Sequence, residues 1–166
     1  NNIREATRLQ KAGCFVIYGI PGLKTHTKLL QVIRNEGTHV MSYAHLSSGN
    51  YNEDTAKLYT DLGLLTTDSR ITQDISEFFN VITGHSMPTH YEHLITAPRD
   101  MRNRLIEMID EEIENHKQGI PAGICWKINS LQDLDTMEAL YRASNAGVPV
   151  LLIIRGICCI RPQRKG

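Results

Sequence analysis

Residues 123–156 read GICWKINSLQDLDTMEALYRASNAGVPVLLIIRG, and their pattern decides the class of fold. Ile124, Trp126 and Ile128 alternate through ICWKI, as one face of a short strand does. Placed so, Trp126 belongs to a core or half-buried surface and not to a base-stacking platform. Ser130 with Asp133 resembles a capping arrangement and predicts a helix through Ala146, closed by Gly147. VPVLLII is then an unbroken apolar run and reads as a fully apolar strand. Strand, crossover helix and apolar strand form a βαβ unit with parallel strands, so the class is α/β. Ligands of such sheets sit beyond the carboxyl ends of the strands, where Asn129 and Arg155 fall.

Upstream, HLITAP reads as a short strand, and Pro98 as the start of a helix. That helix presents Met101, Leu105, Met108, Ile109 and Ile113 inward and stops at Gly119. HSMPTHYE, at about residues 85–91, reads as a linker between a block at 1–84 and another at 92–166. The first block opens with an amphipathic helix from Asn2 to Lys11, with Gly13 as its stop. CFVIYG reads as a short buried strand and IPGLK as a Pro-Gly turn. THTKLLQVIR and THVMSYAHL form a hairpin across NEG. SSGNYNEDTAKLYTDLG is a polar loop leading into a short helix, and ITQDISEFFNVITG is a longer helix closed by Gly84.

The hairpin has a consequence for chemistry. With Asn35-Glu36 as the tight loop, paired residue numbers sum to 71 and His26 opposes His45. With Glu36-Gly37 they sum to 73, and Lys28 opposes His45. Either loop puts His26, Lys28 and His45 on one surface, since opposed residues share a face. An imidazole there can attack phosphorus, and a lysine two residues on can neutralise the transferring oxygens. His45 can act as an acid or base or hold phosphate. Ser47, Ser48, Gly49 and Asn50 supply hydroxyls, an amide and backbone N–H groups for an oxyanion. Taken alone, His26-x-Lys28 is a short pattern that an ordinary polar strand edge also carries; the loop beside it favours chemistry.

Composition narrows the field. Eighteen Lys and Arg balance eighteen Asp and Glu, which argues against bulk attraction to nucleic acid. The longest apolar run is too short to cross a bilayer, and no signal peptide is visible. Cys14, Cys125, Cys158 and Cys159 lack metal-ligand spacing; the adjacent pair suits a buried strand, and a reduced, cytoplasmic setting is the expectation. The acidic run Asp110, Glu111, Glu112 and Glu114 reads as a solvated helix face. His85, His90 and His93 read as surface histidines ahead of a zinc site, and His39 and His116 as exposed. Arg161, Arg164 and Lys165 form a basic tail. The absence of an initiator Met and the last residues, RPQRKG, predict a piece of a longer protein.

YGIPGLKTHTKLL at 18–30 and SYAHLSSGNYNEDTAKLYTDLGLLT at 42–66 strongly resemble the bacterial polyphosphate kinase family, built on phospholipase D-like lobes. The likeness continues through FFNVITGHSMP, LYRASNAGVPV and RGICC, and so covers essentially the whole chain. It implies a mixed sheet flanked by helices, with residues 1–84 ending a first phospholipase D-like lobe and residues 92–166 beginning a second. It implies reversible transfer of the ATP γ-phosphoryl group to inorganic polyphosphate, with Mg²⁺ screening charge. His26 matches the histidine that becomes phosphorylated, with Lys28 beside it, and His45 matches a second active-site histidine. Tyr59 matches a nucleotide-site tyrosine and Arg155 an arginine on the nucleotide phosphates, while Asp61 falls in the same motif without an assigned role. The expected partners are ATP or ADP and polyphosphate, with no nucleic acid; a homo-oligomer and membrane association of the full-length enzyme stay open. The metal ligands are expected outside this chain, with a further catalytic histidine, so the fragment alone is expected not to turn over.

Two positions depart from the pattern. Ser47-Ser48 replaces the usual Gly-Thr, keeping a hydroxyl at Ser48 and losing glycine freedom at Ser47. Ile33 stands seven residues after His26, where the wider phospholipase D signature has Asp. The rival readings are a polyanion-binding fragment without chemistry and a phospholipase D-type phosphodiesterase or nuclease, the latter disfavoured by Ile33.

Overall fold

The chain is described by a computed structural model covering residues 2–85 and 90–163. Residues 86–89 of the expected linker, and Arg164 and Lys165 of the basic tail, lie outside the described residues. The backbone divides into two compact units, Asn1–Leu94 and Ile95–Gly166, and the architecture is α/β.

The first unit runs α1 (Asn2–Lys11), β1 (Leu29–Asn35), β2 (Val40–Ser47), α2 (Glu53–Leu58), β3 (Gly63–Thr66) and α3 (Ser69–Ile82). Its three strands form an antiparallel sheet in the order β1-β2-β3. Helix α1 stops at Gly13, whose φ of 88° is left-handed, as its sequence predicts. The register of β1 and β2 corrects both expected sums. Leu29 pairs with Leu46 and Leu30 with His45, a sum of 75. The bond from Glu36 N to His39 O (2.9 Å) closes the turn around Gly37 and Thr38, and Gly37 carries a φ of 84°. A hairpin turn with positive φ at its first central position needs glycine there. The sum exceeds the expected ones by four and by two, which keeps the parity, so even positions of β1 still share a face with odd positions of β2.

Gln31 fixes which face is inward. Its amide nitrogen lies 2.8 Å from Ser42 Oγ, 3.0 Å from Thr72 O and 2.7 Å from Ser76 Oγ, bridging the sheet to α3. Ala44, opposite Gln31, is buried, as is Ile75 of α3. Leu30, Val32 and His45 therefore lie on the face turned away from α3, where Leu65 of β3 is 81% exposed.

Asp74 of α3 gathers the end of this unit. Its buried carboxylate accepts the backbone N–H groups of Glu92 (3.2 Å), His93 (2.6 Å) and Leu94 (2.9 Å). Those donors need an acceptor, since a buried unpaired N–H is costly. Tyr91 is buried beside Phe78.

The second unit contains α4 (Met101–Lys117), β4 (Ile124–Ile128), α5 (Leu134–Asn145) and β5 (Val150–Ile154). Strands β4 and β5 are parallel, with Trp126 opposite Leu152, as the βαβ reading requires. The buried cluster is Ile109, Ile124, Leu131, Ala139, Leu140, Ala143 and Val148, with Ile106, Ile113 and Trp126 packed against it. Each large apolar side chain so buried contributes about 1.5–3 kcal/mol.

Several other expectations change. Residues 14–19 form no strand, and Phe15 is 84% exposed; a strand needs a hydrogen-bonded neighbour, and the described strands pair with one another. For the same reason residues 25–28 precede β1 and do not extend it. HLITAP is irregular, because its first amides are taken by Asp74. Helix α4 begins at Met101 and not at Pro98, after a turn in which Thr96 O accepts the N–H of Asp100 and of Met101. Its inner stripe is Ile106, Ile109 and Ile113, leaving Met101 and Met108 exposed. Asp133 caps α5 alone, accepting from Thr136 N at 3.0 Å, without Ser130. Cys158 and Cys159 are exposed, since β5 has ended and the segment keeps only a bridge to Leu131. The short strand β3 has no counterpart in the sequence reading. The expected mixed α/β class holds, with an antiparallel sheet in one unit and a parallel pair in the other.

Candidate active site

The end of β2 and the chain that follows it hold most of the residues singled out from sequence. Ser47 N donates to Lys28 O (3.0 Å), the last rung of the β1–β2 ladder. Beyond it Ser48 folds the loop back. Its N–H donates to Leu62 O (3.0 Å), its hydroxyl donates to Asp61 Oδ1 (2.8 Å), and Leu62 N donates to that hydroxyl (3.0 Å). Gly49 lies so close to the Asp61 carboxylate that any side chain would overlap it. Asp61, left without a role by the sequence, is thus the residue that ties the Ser48 loop shut. The Ser48 proton is given to Asp61, so this residue organises the loop before it can touch a ligand.

Asn50 is exposed, and its carbonyl accepts from Asn52 N (2.8 Å). Asn52 caps α2, accepting from Asp54 N (3.1 Å) and Thr55 N (2.9 Å). Tyr59 follows α2 as its C-cap and is half exposed. His45 stands at the centre of this loop. Its Nδ1 lies 2.9 Å from the Tyr51 hydroxyl, and the two rings sit 5.5 Å apart. Sequence reading missed Tyr51 and Gly63, because β3, which brings Gly63 beside β2, had no counterpart in it.

His26 and Lys28 sit on the irregular stretch ahead of β1. Lys28 Nζ lies 3.1 Å from His26 Nδ1 and 2.9 Å from Nε2, so the ammonium rests against the ring, close to both nitrogens. An ammonium only donates, and a ring nitrogen accepts only through its lone pair, so at most one of the two nitrogens accepts from Lys28. Leu30, and neither His26 nor Lys28, is the residue opposite His45. Arg155 belongs to the second unit, just past β5 at the carboxyl end of the parallel pair. There its N–H donates to Ile128 O (3.3 Å), and Gly156 N donates to Asn129 O (2.7 Å).

The acidic run on α4 is engaged in ordinary surface pairing: Asp110 with Arg142 (2.8 Å), Glu111 with Arg104 (2.8 Å) and Glu114 with Lys117 (3.5 Å). Among the described residues no three His, Cys, Asp or Glu side chains converge to hold a metal ion. No described helix is long and apolar enough to cross a membrane. A cavity of about 560 Å³ in the second unit is lined by Tyr141, Leu152, Ile160 and Arg161 among others, and none of the expected site residues is in its lining.

Comparison with known proteins gives the family. Residues 1–88 match the family model described as polyphosphate kinase C-terminal domain 1, and residues 94–166 match polyphosphate kinase C-terminal domain 2. The chain belongs to the polyphosphate kinase family. It is 49% identical over 162 residues to the polyphosphate kinase of Halalkalibacterium halodurans, covering 98% of this chain and 23% of that protein. The Escherichia coli K12 polyphosphate kinase is 46% identical over 165 residues, with 99% of this chain and 24% of that protein covered. The crystal structure of polyphosphate kinase from Porphyromonas gingivalis superposes with a TM-score of 0.83 at 37% identity, over 99% of this chain and 27% of that one. The chain thus spans about a quarter of the length of these polyphosphate kinases.

Proposed function

We propose that the protein containing this chain reversibly transfers the γ-phosphoryl group of ATP to inorganic polyphosphate through a phosphohistidine at His26. The observation that carries this reading is the contact of Lys28 Nζ with the ring nitrogens of His26, His26 being exposed and Lys28 partly so. A nucleophile with a lone pair and its charge partner are thereby side by side. As ATP binds, the ammonium moves from the ring onto the γ-phosphate oxygens. The N–P bond forms as the bond from phosphorus to the ADP oxygen breaks, and ADP leaves with the electron pair. A terminal polyphosphate oxygen then attacks phosphorus, and the N–P bond breaks to restore the neutral imidazole. Such transfer asks the protein mainly for position and positive charge.

In this reading His45 holds or protonates phosphate from the neighbouring strand. Asn50 and the backbone of the loop closed by Ser48 and Asp61 receive the anionic chain, while Tyr59 and Arg155 contact the nucleotide. The family resemblance implies Mg²⁺, and its ligands are proposed to lie outside this chain. The phospholipase D-like lobe assignment and a cytoplasmic location belong to the same reading.

The test is incubation of the full-length protein with γ-radiolabelled ATP and Mg²⁺. Acid-labile label on His26, lost in His26→Ala, is expected. Label that survives His26→Ala overturns the nucleophile assignment, and no label on either protein leaves a polyanion-binding role. Cleavage of a phosphodiester substrate would point to the nuclease.

A further inference from the structure

The phenolic oxygen of Tyr51 makes two contacts with one residue. It lies 2.9 Å from His45 Nδ1 and 3.3 Å from the carbonyl oxygen of His45. The longer contact is the phenol's own donation to the carbonyl, and the shorter one needs a proton between its heavy atoms, because two lone pairs facing each other at that distance repel. The phenol carries one proton, and the carbonyl carries none. Tyrosine donates to the carbonyl, so the proton on the Nδ1 contact has to come from the ring. His45 is then the tautomer with hydrogen on Nδ1 and its lone pair on Nε2. The partner of one ring nitrogen sets the state of the other.

Nε2 is also the nitrogen for which room has been left. Gly63 pairs with Ser47 on the His45 face of the sheet, and a methyl group added at Gly63 would lie 2.8 Å from Nε2. Gly63 has no positive φ to justify glycine; the close approach of the imidazole is the reason for it.

We infer that Tyr51 is a positioning residue for His45, fixing the Nδ1–H tautomer so that the Nε2 lone pair is held in the space that Gly63 leaves open. This rests on the reading that His45 works in the phosphoryl-transfer site. With the tautomer fixed, Nε2 can take a proton from an arriving phosphate, and the resulting Nε2–H donates to that same oxygen.

The experiment is nitrogen-15 NMR of the histidine rings in the 166-residue chain, at a pH well above the ordinary imidazole range. Signals are assigned to His45 by their loss in His45→Asn. The expected wild-type spectrum shows His45 protonated on Nδ1 with an unprotonated Nε2, and Tyr51→Phe moves it toward the Nε2–H form. A wild-type His45 protonated on Nε2 overturns the inference without any variant, as does a Tyr51→Phe spectrum identical to wild type. In the full-length protein, Tyr51→Phe is expected to lower kcat at least about tenfold with KM for ATP unchanged; an unchanged kcat also overturns the positioning role. Absence of label on His26 in the full-length protein would instead defeat the phosphoryl-transfer reading and leave the tautomer result standing.

Discussion

The two units solve the same folding problem by different means. The second closes an apolar core around Leu140 and Ile109, between two helices and a parallel strand pair. The first lays one helix on one face of a small sheet and leaves Leu30, Val32 and Leu65 of the other face exposed. Where the second unit relies on burial, the first relies on directed polar contacts: Gln31 spanning to α3, Asp74 gathering three amides, Asp61 closing the Ser48 loop. The candidate chemistry sits with the polar devices. Reactive side chains need reach and hydrogen-bond partners, and a closed apolar core provides neither.

The sharpest way to break this comparison is truncation of apolar side chains in each unit. Leu140→Ala is expected to cost about 2–5 kcal/mol in chemical denaturation, as a fully buried leucine does. Leu65→Ala, on the open face, is expected to stay within about 0.5 kcal/mol. Equal losses would show that the two units are not built differently. Next comes Asp74→Ala, which strips the acceptor from Glu92, His93 and Leu94 and is expected to cost about 3 kcal/mol. Hydrogen exchange of those three amides should accelerate while α5 stays protected; unchanged exchange there would mean the carboxylate is not what holds the segment.

Gly63→Ala sharpens the contrast between stability and chemistry. The added methyl displaces a ring and not a backbone, so melting should shift little. Phosphoryl transfer by the full-length protein should fall roughly a hundredfold, since small misplacements of reacting groups are that costly. A variant of normal activity would remove His45 from the site. The smallest effect is electrostatic and lies at the start of α3. The Arg70 guanidinium and its backbone N–H hold the Asp68 carboxyl down to about 2 from an ordinary 3.8. A depressed carboxyl stabilises the fold above its unfolded value and stops doing so when protonated. Its contribution is therefore present above about pH 4 and lost as pH falls from there through about 2. An acid titration of helix content should show that sensitivity reduced in Asp68→Asn and weakened by added salt.

Much of this molecule was legible in its sequence, and the misses share a cause. The βαβ unit, α1, α3 and the ends of α4 and α5 follow from local periodicity, with glycine stops at Gly13, Gly84, Gly119 and Gly147. Parity of the hairpin was legible, because a side chain can only be on one face or the other. Its register was not, since Asn35, Glu36 and Gly37 left several turns open and the chain chose the one with Gly37 first. The strands expected at CFVIYG and HLITAP failed because strand formation depends on partners remote in the sequence. The closure of Ser48 by Asp61, and of His45 between Tyr51 and Gly63, involves residues 6 to 18 positions apart. No local spacing rule joins them; a motif shared across a family marks such residues without saying what they do.

Trp126 has one more consequence. It is the only tryptophan in the chain and packs against the core of the second unit, which also holds Tyr141, while the other five tyrosines, Tyr18, Tyr43, Tyr51, Tyr59 and Tyr91, belong to the first. The two units are therefore optically distinct without any label. Light at the red edge of aromatic absorption excites the second unit alone, and the first unit's emission is tyrosine's.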